Sequence, residues 1–151
     1  MQDFFAQRPY LSAAALGAVF YFVGFPIWGI YYAYTPVNLW LISTFVVDWT
    51  PVAFNIATYS HQLVVQILIA LPFAYFLSRI RPEKSWKYVS VALVVVFAIM
   101  LLRFVGFVTA PSEFETAMRV RAFLESTIVT MAALAVAYLI VVMLRHRKDE
   151  A

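Results

Sequence analysis

From Pro9 to Ser78 the chain contains no lysine or arginine, and its single acidic residue in that interval is Asp48. A membrane-spanning helix needs about 20 mostly apolar residues, so an interval this long and this poor in charge must hold more than one crossing. Composition points the same way. Hydrophobic residues make up 64% of the chain and charged residues 13%, whereas a soluble domain is nearer half apolar and a quarter charged. The 14 Phe, 9 Tyr and 4 Trp exclude a disordered chain. We read the chain as an integral membrane protein.

Runs without charge place four all-α spans, at residues 10–34, 62–80, 88–108 and 122–144. The first follows Arg8 and opens on small residues, as a secretory signal does. Its apolar run is too long for a signal h-region, however, and no small-residue cleavage site with a polar flank follows, so it is read as a retained helix. Orientation follows from the flanking basic residues, which concentrate on the cytoplasmic side of short loops. Arg8, Arg79, Arg81, Lys84, Lys87, Arg145, Arg147 and Lys148, eight of the 11 basic residues, fall on one side of a four-span arrangement. Both termini, including the 145–151 tail, are therefore expected in the cytoplasm, and the protein in the inner or plasma membrane. The basic residues flank apolar runs and form no stripe, so the net charge of +3 does not predict a nucleic-acid partner.

Residues 37–60 are apolar enough to suggest a fifth span, but Asp48, Pro51 and Asn55 interrupt them. A fifth crossing would also put Arg8 or the larger basic clusters on the wrong side. The segment is expected outside, as an interfacial or re-entrant element broken at Pro51, with Trp40 and Trp49 at headgroup depth. Ser112 and Glu115 match a capping box, predicting that the fourth helix starts before the membrane.

Ionisable groups at membrane depth are costly and are functional candidates by default. Arg103 and Glu125 lie near the outer ends of the third and fourth spans, and an ion pair between them is the natural inference. That pair can simply pin two helices, or Glu125 can meet Arg121 one helical turn away. The functional reading is that Arg103, with Arg121 or Arg119, grips an anionic lipid head or small molecule, since guanidinium suits bidentate recognition of phosphate or carboxylate. His61 and Asp48 lie on the same side and with Glu125 could form a proton relay or metal site. No zinc-type spacing accompanies them, and no metal or cofactor is expected. Trp28, Tyr31 and Tyr32, together with Phe25 and Tyr34, form an aromatic belt or the wall of an apolar cavity for a lipid or quinone ring.

Enzyme signatures are missing: there is no Gly-rich phosphate loop, no H-E-x-x-H, no G-x-S-x-G, and the chain has no cysteine. The first span also lacks the carboxylate that small four-helix multidrug transporters use. Small residues four apart, Ala13 with Gly17, Ala14 with Ala18 and Ala133 with Ala137, favour close helix packing. Together these features favour a non-enzymatic role: a small subunit or accessory protein that packs in the lipid bilayer with membrane-protein partners or as a homo-oligomer. The alternatives are a transporter or channel, built as a homo-oligomer around Asp48, His61, Arg103 and Glu125, and a membrane enzyme on a lipid headgroup with Glu125 or His61 as base.

Overall fold

The computed structural model describes residues 7–34, 51–80, 85–109 and 116–149, which form helices with no strand among them. Four stretches are long and apolar enough to cross a bilayer: Pro9–Tyr34, Ile56–Ile80, Ser85–Gly106 and Arg119–Arg147. The first is built as α1 (Pro9–Val19), a π-helical turn (Phe20–Gly24) and α2 (Phe25–Tyr34). The widened turn has a local cause. Pro26 offers no backbone N–H, and its ring collides with the carbonyl four residues back in a regular α-helix, so the helix loosens just before it.

The second, third and fourth spans lie in α3 (Pro51–Ile80), α4 (Ser85–Thr109) and α5 (Thr116–Asp149). Pro51 begins α3, and residues 51–60 run continuously into the second span, so the part of the expected 37–60 element from Pro51 onward is helix joined to that span. Proline suits the first turn of a helix, where its missing N–H has no intrahelical partner to lose. Residues 37–50, with Asp48, Trp40 and Trp49, lie outside the described residues, as do Ser112 and Glu115. The 34 residues of α5 rise about 51 Å, well beyond a hydrocarbon core of about 30 Å.

Pair contacts fix the relative directions. Rings of Tyr10 and Tyr88 meet at one end of α1 and α4, and Arg103 reaches Tyr21 farther along, so these helices run parallel. Phe20 meets Phe73 and Tyr31 meets His61, making α3 antiparallel to the first span. Tyr59 bonds Glu125, and Arg145 bonds the Ser78 carbonyl, so α3 and α5 run parallel with a near-constant register. We name the ends by their residues: the basic end carries Arg8, Arg79, Lys87, Arg145 and Arg147, and the vestibule end carries His61, Arg103 and Glu125.

Alternate spans, not consecutive ones, pack most extensively: α3 against α5, and α1 against α4. Small residues explain this choice. A Cβ built on Gly17 would lie 2.6 Å from the backbone oxygen of Ala92, so the α1 and α4 backbones touch where any side chain would hold them apart. Ala13, one turn before Gly17, is fully buried. In the other pair, Ala70 and Ala74 of α3 and Ala133 and Ala137 of α5 are all fully buried. The core continues through Leu77, Val89, Val96, Leu134 and Tyr138. At the basic end, Arg145 donates to the Ser78 carbonyl (3.4 Å). That carbonyl belongs to the last turn of α3, where no intrahelical donor follows and a cation is favoured.

Candidate functional site

At the vestibule end, the α3 and α5 register brings Tyr59 to Glu125, and the Tyr59 hydroxyl donates to the carboxylate. One turn earlier on α5, Arg121 Nε donates to the other oxygen of Glu125 at 2.7 Å. The expected ion pair between Arg103 and Glu125 therefore gives way to Arg121 and Tyr59. Packing is the reason: because α5 embraces α3 and α4 embraces α1, Glu125 faces the second span and Arg103 faces the first. Arg103 donates to the Tyr21 hydroxyl at 3.1 Å, with its guanidinium carbon 5.9 Å from the centre of that ring.

His61 sits two residues beyond Tyr59, hence about 200° around α3 and on a different face. Its Nε2 lies 2.9 Å from the Tyr31 hydroxyl, within a ring cluster formed by Trp28 and Tyr31. Trp28 is buried and also packs on Tyr32, with ring centres 5.5 Å apart. The aromatic residues of the first span thus flank the half-buried histidine, while Glu125 is engaged elsewhere. No group of three metal-binding side chains converges among the described residues.

Of the three arginines considered for an anionic ligand, Arg121 is engaged by Glu125, and Arg119 is buried and engaged. Arg103 differs. It lines a cleft of about 400 Å³ between α4, α5 and the π-helical turn with the start of α2, together with Tyr21, Phe25, Met100, Phe104, Phe123 and Ser126. Two aromatic pairs wall this cleft: Tyr21 stacks on Phe25, with ring centres 5.5 Å apart, and Phe104 stacks on Phe123 at 4.2 Å. The volume falls in the usual range for small-molecule sites, about 300–1,000 Å³, and an apolar wall with a few polar groups is their usual chemistry. Among the described residues Arg103 meets no carboxylate. A guanidinium has five N–H donors, and the Tyr21 hydroxyl takes one of them.

A second polar feature runs down the α3 and α5 interface from the same end. Gln62, Gln66, Thr127 and Thr130 are all buried. Among the described residues, Gln66 Oε1, Thr127 Oγ1 and Thr130 Oγ1 are buried without a hydrogen-bond partner. Gln66 and Thr130 also border a small cavity of about 10 Å³ beneath the π-helical turn. This seam, with Tyr21 and Tyr59, was not anticipated from the sequence. The available signal was spacing: Gln62 and Gln66 are four apart and Thr127 and Thr130 three apart, so each pair shares one helix face in an otherwise apolar run. Comparison of the chain with protein-family models, with curated proteins and with solved structures finds no match in any of the three.

Proposed function

We propose that this chain is a small multi-pass membrane subunit that packs with partner proteins or with itself and holds an anionic amphiphile in the Arg103 cleft. The ligand class is a lipid with a phosphate or carboxylate head. The observation that carries this reading is a guanidinium within a candidate membrane span, in an aromatic cleft of about 400 Å³, with no carboxylate beside it among the described residues. A cation in a weakly solvated place is costly unless an anion or a strong dipole meets it. The guanidinium fork matches phosphate or carboxylate through two parallel hydrogen bonds, and the Ser126 hydroxyl at the cleft adds another donor. Stacked rings offer an apolar wall for acyl chains.

We assign the vestibule end to the outer face and both termini to the cytoplasm. The support is the gathering of Arg8, Arg79, Lys87, Arg145 and Arg147 at the opposite end, in line with the cytoplasmic preference of short basic flanks. The cleft then opens toward the outer leaflet. Native mass spectrometry from mild detergent tests the proposal, with phosphatidylglycerol, phosphatidylcholine or inorganic phosphate added in separate arms. Wild-type protein is expected to retain phosphatidylglycerol over phosphatidylcholine, Arg103→Ala to lose that preference, and Arg103→Lys to keep part of it. Retention of inorganic phosphate alone identifies a free anion instead of a lipid. Equal retention of both lipids, or an undiminished preference in Arg103→Ala, would overturn the reading.

A further inference from the structure

The seam between α3 and α5 carries an inference independent of the Arg103 cleft. Gln66 and Thr130 are 4% and 3% exposed, and Gln66 Oε1 and Thr130 Oγ1 have no hydrogen-bond partner among the described residues. Both residues border the cavity of about 10 Å³. We propose that this cavity binds one internal water molecule deep within the bundle, bridging Gln66 Oε1 and Thr130 Oγ1.

Size and chemistry select the occupant together. A cavity holds a water when about 10–15 Å³ is open to a water-sized probe and polar partners are present. Gln66 Oε1 is a carbonyl oxygen that only accepts, so the occupant must donate; the Thr130 hydroxyl donates or accepts as required. An anion cannot donate and is excluded. A metal cation would find no carboxylate in the lining, and the remaining wall is Phe20, Tyr21, Gly24, Phe25 and Ile69. Water alone fits both the volume and the donor requirement. It also gives the two orphaned atoms the partners that buried polar groups nearly always have.

The fold explains why room exists at this point. The π-helical turn widens the first span at Phe20–Gly24, and Gly24 leaves open a space where a Cβ would meet Ile69 Cγ2 at 3.2 Å. Tyr21 and Phe25 border both this cavity and the Arg103 cleft. The two sites therefore share a wall element in these stacked rings.

Water-edited solid-state NMR on the full chain in hydrated lipid bilayers tests the inference. Polarisation passed from mobile water at short mixing times is read at Thr130 Cβ and at Leu134, one turn farther along α5 and fully buried. Thr130 is expected to build up at least threefold faster than Leu134. In Gln66→Met, which keeps the bulk but removes the acceptor, the Thr130 signal is expected to fall toward that of Leu134. A wild-type Thr130 that builds up no faster than Leu134 overturns the proposal, and this arm needs no variant to fold. An unchanged Thr130 signal in Gln66→Met overturns the bridging role of Gln66.

Discussion

The two halves of the α3 and α5 interface share the same helices and nearly the same register, yet they are built from opposite materials. Toward the basic end the contact is Ala70, Ala74, Leu77, Leu134 and Ala137, all fully buried, closed by Arg145 on the Ser78 carbonyl, while Tyr138 of α5 donates to Ser85 of α4 beside it. Toward the vestibule end it is Tyr59, Gln62, Gln66, Glu125, Thr127 and Thr130. Small apolar side chains let backbones close up and exclude everything else, and in a bilayer this dispersion-driven fit is the main source of helix association. Polar side chains leave hydrogen-bonding groups that close packing alone does not satisfy. One half is thus a fastener, and the other carries buried polar atoms that the packing leaves without partners among the described residues. The polar seam stops where the alanines begin.

Enlarging the dry half should cause the largest loss. Ala137→Leu forces a branched side chain into a contact with no free volume, and overpacking of this kind costs about 3 kcal/mol. A leucine is better tolerated at Thr130, beside a cavity, where Thr130→Leu adds two carbons, removes an oxygen and should cost less than half as much. Thermal unfolding in detergent, followed by tryptophan fluorescence, compares the two; equal losses would erase the distinction between the halves. Gly17→Ala tests the other tight pair. Its Cβ would meet the Ala92 backbone at 2.6 Å, which no side-chain rotation relieves, and about 2 kcal/mol should be lost.

Next in size is the coupling across the polar half. Tyr59→Phe and Glu125→Gln should be non-additive by about 1 kcal/mol, because each alone removes the same charge-assisted hydrogen bond. Arg103→Ala and Glu125→Gln should add within about 0.5 kcal/mol, since the two groups have separate partners. A large coupling between Arg103 and Glu125 would restore the ion pair that the packing replaces. At the basic end, Tyr138→Phe should cost about 1 kcal/mol by orphaning Ser85 of one donor. The smallest effect is expected at Thr127→Val, within about 0.5 kcal/mol of wild type, because its hydroxyl has no partner to lose.

The sequence alone determined that the described chain is helical, with four stretches able to cross a bilayer, because hydropathy over about 20 residues is a local property that no neighbour can alter. It also contained the small-residue spacing of Ala13 with Gly17 and of Ala133 with Ala137, though not which helix would come close to each. Pro51 shows the limit of local cues: a boundary there is legible in the sequence, but only the continuous run to Ile80 shows that it begins a helix joined to the second span. Depth along each span was readable, so Arg103 and Glu125 were correctly placed near one end, but depth leaves the azimuth open. Which faces meet depends on backbones approaching wherever side chains are smallest, summed over the whole bundle. That sum paired alternate spans, turned Arg103 toward Tyr21 and Glu125 toward Tyr59, and left Gln66 and Thr130 facing a cavity made by a π-helical turn in a third helix. Contacts between residues so distant in the chain have no signature in the order of residues around either one, and tertiary packing alone decided them.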